Sequence, residues 1–408
     1  MAFRRAAAVT AVLVASVVAA PVAAWAAEVC ASPPPAGTVS TALPWEEQFY
    51  DFARIAPVAD GTGVRVAVID SGVDADQPQL RGHVERGRDF LRRSSAGGAQ
   101  DCIGHGTGVA SIIAARPLRT GVPFRGLAPG VTIVPIRVTE RKDTADGGTN
   151  GEAGGPKDFA DAIDWAADPA RGNADVINMS LSLDSDPDGL VKAAVARALA
   201  RRVVIVAAAG NHGKPTEANP APYPASYDGV IGVGAIGRDG LRADFSQHGA
   251  YVDVMAVGDG GITMAAPHRG HVSTENGTSF ATPFVTATVA LILQRFRSQR
   301  LSPAQILDRL VATADPAPGG RHSAEYGYGL LNPYRALTET LGPATPRAPV
   351  PAATRSEDPA AVALRDRRGH SQDLALAVAG AGAGAVMLVG LLTGAIRRGR
   401  RRNWRPGT

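Results

Sequence analysis

Three short segments carry residue types that could share one piece of chemistry. Asp70 ends the apolar run 64–70 (VRVAVID) and is followed by Ser71-Gly72. His105 sits between glycines in 104–108 (GHGTG), just before the apolar pair Ile112-Ile113. Ser279 lies in 276–283 (NGTSFATP), ahead of the longest apolar stretch of the central region. Each has an ordinary reading on its own. An Asp at a strand exit caps a turn, a His at a helix start is an exposed turn residue, and a Ser before an apolar helix is an N-cap with Pro283 in the first turn. Together they offer a nucleophilic hydroxyl, an imidazole that titrates near neutrality and can take its proton, and a carboxylate to orient that imidazole. A helix N-terminus at Ser279 would add free N–H groups and a favourable dipole. A fourth residue fits the same chemistry. The apolar run 202–209 (RVVIVAAA) leads into Gly210-Asn211, which puts a carboxamide donor where a developing oxyanion could be held.

Such groups need a frame that brings distant segments together. Short Val/Ile-rich runs at 64–70, 131–138, 175–181, 202–209 and 230–236 are near-continuously apolar, as strands buried on both faces of a parallel sheet are. Helical patterns fall between and after them, at 106–115, 158–167, 190–201, 279–296 and 302–313. The alternation predicts an α/β fold, a doubly wound parallel sheet with helices on both faces, over roughly 61–341. In such sheets sites form beyond the carboxyl ends of the strands, which is where Asp70 and Asn211 fall.

The order Asp, His, Ser on a parallel α/β sheet is the order of subtilisin-type triads. The segments VIDSGVD, GHGTGVA, AAAGN and NGTSFATP resemble the four signature blocks of the subtilases, the subtilisin-like serine proteases. INMSLS, YPASYDGVIGVGAI and DFSQHGAYVDVMAVG resemble the framework between those blocks. The resemblance implies a triad of Asp70, His105 and Ser279 with Asn211 as the side-chain oxyanion donor. It also implies that Ser180, Leu181 and Ser182 pair with an extended peptide substrate, with Ala209 and Gly210 beside them. Two departures stand out. The segment 116–129 (RPLRTGVPFRGLAP) lacks the oxygen ligands of the strong calcium loop of secreted subtilisins, so no metal is expected there, and no cofactor is expected at all. Ser182 stands where many relatives have Gly, and a side chain there could narrow the cleft.

The ends of the chain place the protein. Its 408 residues carry 42 Lys+Arg against 38 Asp+Glu, a net +4 that invites a nucleic-acid reading. However, Arg4, Arg5 and the six Arg at 397, 398, 400, 401, 402 and 405 supply eight of the basic residues. Without them the body is slightly acidic, so no nucleic-acid partner is expected. Residues 1–26 have the form of a secretory signal, with Arg4-Arg5, an apolar stretch and Ala24-Trp25-Ala26 as the cleavage site. Residues 374–396 are 23 uncharged residues, enough to span a membrane, and the Arg-rich 397–408 would hold the tail in the cytoplasm. A Pro/Ala-rich tether over 342–373 joins that span to the globular region. Cys30 and Cys102 suit an oxidising exterior. A bridge between them would constrain the unfolded chain by about 4 kcal/mol in loop-closure terms.

This layout, with a cysteine just before the His block and a short extension at 27–60, resembles the mycosins, membrane-anchored subtilases of actinobacterial type VII secretion systems. The resemblance implies a single-pass membrane serine endopeptidase whose catalytic domain faces outward. It would act on protein or peptide substrates, with secretion-system components as partners, and its extension would wrap the catalytic domain. A general tethered extracellular subtilase and a structural cap of a secretion complex are the alternatives. Residues 139–157 (TERKDTADGGTNGEAGGPK) have no apolar period, which predicts a solvated insertion, with a cleft-lining or docking loop as the alternative.

Overall fold

The computed structural model describes Cys30 and residues 34–342, apart from 119–120, 144–148, 184–185, 187–188, 215–218, 319 and 321. The signal segment 1–26, most of the tether, the apolar stretch 374–396 and the Arg-rich tail lie outside the described residues. Among the described residues no helix is long and apolar enough to cross a membrane.

Strands form where the Val/Ile runs predict them. In chain order they are β1 (Arg65–Asp70), the two-residue β2 (Arg88–Asp89), β3 (Thr132–Arg137), a small hairpin of β4 (Lys142–Asp143) and β5 (Thr149–Asn150), then β6 (Val176–Met179), β7 (Val204–Ala208), β8 (Ile231–Ile236) and β9 (Val254–Val257). A second hairpin follows, β10 (Ile262–Ala265) with β11 (His271–Glu275). The main sheet is parallel throughout, in the order β2-β3-β1-β6-β7-β8-β9.

Alternate residues of the strands feed two separate cores. From β1, Val66 and Val68 face one core, with α3 (His105–Ala114) and α6 (Thr278–Arg295). Ala67 and Ile69 face the other, with α4 (Pro156–Ala167) and α5 (Leu190–Ala200). Both faces of the sheet are therefore dry, which is why its strands carry no polar alternation. Helix α6 is buried from Thr278 to Ile292 and runs behind β6 to β9. A helix enclosed on all sides has no polar stripe. Two of its threonines, Thr282 and Thr288, satisfy themselves by donating to the carbonyls four residues back, both at 2.8 Å.

Chain direction decides where a site can form. From β1 the chain moves toward β2 and β3, whereas from β6 it moves toward β7, so β1 and β6 flank the point where the winding reverses. Val68 is paired with Asn178, which sets Asp70 level with Ser180 at the carboxyl end of this pair of strands.

Several elements are absent from the sequence reading. Strand β9 extends the sheet, and the β10–β11 hairpin packs beside α3. Within the extension, α1 (Trp45–Phe49) and α2 (Phe52–Ile55) are docked on the first core, where Tyr50, Phe52 and Ile55 are buried. The insertion at 139–157 is not simply solvated at its base. Thr139 bridges to Ala153, and the buried Glu140 meets Arg92 at 2.5 Å and Arg137 at 3.3 Å. The structure also pairs Cys30 with Cys102, their Cα atoms 5.2 Å apart.

Candidate active site

Asp70 is the last residue of β1 and is almost wholly buried. One of its oxygens, Oδ1, accepts from the Ser71 backbone N–H at 2.7 Å and lies 2.7 Å from His105 Nδ1. That contact fixes the imidazole's azimuth and leaves Nε2 as the ring's outward nitrogen. His105 is the first residue of α3, and its side chain is 28% exposed, so a buried carboxylate holds a ring that solvent reaches. The close approach of α3 to β1 depends on Gly106. A Cβ there would stand 2.1 Å from the Gly72 carbonyl oxygen and 3.1 Å from Asp70 Cβ.

A second acid, Asp101, organises the same corner and carries no sequence motif that would have singled it out. It is buried, and its two oxygens accept five hydrogen bonds. Oδ1 takes the Ser71 hydroxyl at 2.9 Å and the N–H groups of Ile103 and Gly104 at 3.0 and 2.8 Å. Oδ2 takes the N–H and hydroxyl of Thr107 at 2.8 and 2.6 Å. The Ser71 hydroxyl in turn accepts from Gly106 N–H at 3.0 Å. Asp101 thus ties the exit of β1 to the first turn of α3, the two pieces that carry Asp70 and His105.

Ser279 is the second residue of α6, behind an N-cap at Gly277, so it is not itself the cap. Pro283 is the sixth residue of this helix, beyond the first turn where the sequence reading put it. The ring of Phe280 lies 5.2 Å from that of His105, which brings the start of α6 against the Asp70–His105 pair. Asn211 follows β7. Its Oδ1 accepts from both the N–H and the hydroxyl of Thr278 at 2.9 Å, so its Nδ2 is the amide end left to face outward. Gly277 lies between the two functional groups. A Cβ on it would come 3.0 Å from Ser279 Oγ and 3.5 Å from Asn211 Nδ2.

The residues expected to meet substrate fall into two groups. Ala209 is buried in the first core, and Gly210 N–H donates to Thr278 Oγ1 at 3.2 Å, so both buttress the start of α6. Beyond β6, Leu181 and Ser182 are half-buried, whereas the Ser180 hydroxyl is buried and donates inward, to the Ser279 carbonyl at 2.7 Å. Just after Ser182, Leu183 exchanges backbone hydrogen bonds with Tyr223, at 2.8 and 2.9 Å.

A buried carboxylate on an imidazole, a helix-start hydroxyl and an outward amide form a constellation suited to acyl transfer. Comparison with known proteins agrees. The model of the Subtilase family matches residues 61–329. Mycosin-1 of Mycobacterium tuberculosis is 34% identical over 348 residues, covering 75% of each chain. Subtilisin DY of Bacillus licheniformis is 38% identical over 273 residues, covering 67% of this chain and 90% of its own. Among solved structures, MycP1 from the ESX-1 type VII secretion system superposes with a TM-score of 0.65 at 30% identity, over 79% of this chain and 92% of its own. The chain belongs to the subtilase family of serine proteases.

Proposed function

We propose that the protein is a membrane-anchored serine endopeptidase that processes selected proteins of a type VII secretion system, with Asp70, His105 and Ser279 as its triad. The observation that carries the catalytic part is the 2.7 Å contact between His105 Nδ1 and Asp70 Oδ1, with Ser279 Oγ and Asn211 Nδ2 both bordering Gly277. His105 Nε2 takes the Ser279 proton as Oγ attacks a peptide carbonyl carbon, then returns a proton to the leaving amine. Asp70 holds the ring and stabilises its cationic form. The Asn211 amide and the Ser279 backbone N–H hold the tetrahedral oxyanion at the start of α6, where the helix dipole favours negative charge. Water then releases the acyl group by the same steps. No metal or cofactor enters.

The secretion part of the reading rests on the likeness to mycosin-1 and to the MycP1 structure. The membrane part rests on residues 374–396 and the six Arg of 397–408.

The nucleophile is tested with Ser279→Ala, which should abolish both fluorophosphonate labelling and peptide cleavage while the protein stays folded. Labelling at full strength would remove Ser279 from the mechanism. The setting is tested by comparing secretion in a Ser279→Ala strain with secretion in a full deletion. Loss in both supports processing, whereas normal secretion in the Ser279→Ala strain alone supports a structural role.

A further inference from the structure

Inside α6 every carbonyl expects an N–H four residues on, but the partner due to Ser279 is Pro283, which has none. The carbonyl next to the nucleophilic side chain is therefore orphaned by the sequence of its own helix. It is not left bare. Ser180, just beyond β6, donates its hydroxyl to this carbonyl at 2.7 Å. The Ser180 oxygen is oriented in turn, accepting from Asn178 Nδ2 at 3.0 Å. Asn178 Oδ1 accepts from the hydroxyl of Thr286 at 2.7 Å, and Thr286 is on α6 again, two turns below Ser279. Asn178, Ser180 and Thr286 are all buried.

We infer that Thr286, Asn178 and Ser180 form a hydrogen-bonded relay that replaces the missing Pro283 donor and fixes the peptide of the nucleophile, so that Ser180 acts chiefly as a positioning residue through its side chain. This rests on Ser279 being the nucleophile. Each link has a defined direction: Thr286 O–H to Asn178 Oδ1, Asn178 N–H to Ser180 Oγ, Ser180 O–H to Ser279 C=O. The Asn amide must present both ends, and Ser180 must both accept and donate, so no group in the chain is free to rotate. The proline makes the arrangement useful. A regular helix would bind this carbonyl to its own backbone and let Ser279 move with the helix alone. Pro283 transfers the hold to β6, the strand paired with the one that ends in Asp70. Ser279 and Asp70 are thereby referenced to adjacent strands of one sheet. A nucleophile displaced by a fraction of an ångström loses rate without losing substrate affinity.

The test is a double-mutant cycle between Ser180→Ala and Pro283→Ala, read as kcat and KM on a peptide substrate and as the rate of fluorophosphonate labelling. The small fluorophosphonate does not span the 180–182 strand, so a residue that only paired with substrate would leave labelling untouched. Ser180→Ala should lower kcat and the labelling rate by about ten- to a hundredfold with KM within about twofold. Pro283→Ala supplies a backbone N–H to the Ser279 carbonyl, so Ser180→Ala in that background should cost less than about threefold. An unchanged labelling rate in Ser180→Ala, a loss confined to KM, or an equal loss in both backgrounds would overturn the relay. If Ser180→Ala does not fold, Thr286→Val against Thr286→Ser decides: the first should lose about two- to fivefold and the second should not. Equal rates for that pair would overturn the relay too. Should Ser279→Ala retain activity, the nucleophile itself is misassigned, and that result is distinct from all of these.

Discussion

Buried carboxylates serve two regions of this protein, and they are treated differently. At the catalytic corner Asp101 is buried with five hydrogen bonds, so its oxygens are matched by donors from three short segments. In the extension, Glu46 and Glu47 are equally buried but poorly matched. Glu46 Oε1 accepts from Thr263 N–H at 2.8 Å while its Oε2 is buried with no partner among the described residues. Glu47 accepts from Arg125 N–H at 2.8 Å and lies 3.7 Å from the Arg125 guanidinium, against the apolar rings of Phe52, Phe124 and Phe284. Burial pushes the Glu46 carboxyl up, and it raises Glu47 to about 7 despite the Arg125 N–H. The catalytic corner is thus tied together through Asp101, while Asp70 Oδ2 beside it, like Glu46 Oε2, is buried with no hydrogen-bond partner among the described residues. The extension is attached by contacts whose strength changes with pH.

This contrast can be broken first at the site. Asn211→Ala should lower kcat by about 10²- to 10³-fold, the loss measured when the equivalent kind of donor is removed from a subtilisin, and leave the thermal midpoint nearly unchanged. A large fall in the midpoint would show that the Asn211–Thr278 contacts support the fold as well as the chemistry. The extension should respond in the opposite sense. Cys30→Ser frees the end of the extension from Cys102, three residues before His105. It should cost about 4 kcal/mol of stability in denaturant unfolding, with kcat unchanged at room temperature. An equal stability of the two forms would mean that the bridge does not form in the protein.

The same contrast explains what could be read from the sequence. The strands β1, β3, β6, β7 and β8 were legible because burial on both faces writes an unbroken Val/Ile signal. The sites at their ends were legible because Gly-flanked Asp, His, Asn and Ser are rare combinations. Strand β9 was not, since its run VMAV holds only two β-branched residues and is followed by a hairpin rather than by the helical pattern that marks a β/α unit. That the extension wraps the catalytic domain came only from the resemblance, and its helices and the inward glutamates of WEEQF went unread, because only the tertiary fold shows that both side chains are buried. Asp101 and the Ser180 hydroxyl were missed for a related reason. Their roles lie in donors and acceptors that converge from distant segments, and no spacing within the chain encodes that convergence. Pro283 carries a readable signal, but with Gly277 rather than Ser279 as the cap it lies two residues deeper in the helix than the N-cap reading implies.

The smallest effects are the pH slopes, and they separate the extension's contacts from one another. Glu47 ionises in the unfolded chain near its ordinary value of 4.5 but in the folded chain only near 7. Its contribution is fully present below about pH 4.5 and is lost as pH rises toward 7, by roughly 3 kcal/mol in all. Glu47→Gln should flatten that slope, and an unchanged slope would mean that Glu47 is not the titrating group. Against the other end of the extension, His271 of β11 works the other way. Its Nδ1 accepts from Ser40 N–H at 3.0 Å and its Nε2 meets Gln79 Oε1 at 2.6 Å, an arrangement that requires the neutral ring. Burial holds its pKa below 6.5, so its contribution is present above 6.5 and is lost as pH falls. In a Ser279→Ala, Glu46→Gln, Glu47→Gln background, where self-cleavage cannot intrude, the His271 slope should stand alone among the extension's contacts. Limited proteolysis within 34–44 should then become faster as pH is lowered from 7 to 5, after correction for the protease's own pH profile. Cleavage that is slower or unchanged at pH 5 would show that the Ser40–His271 contact does not hold the extension in place.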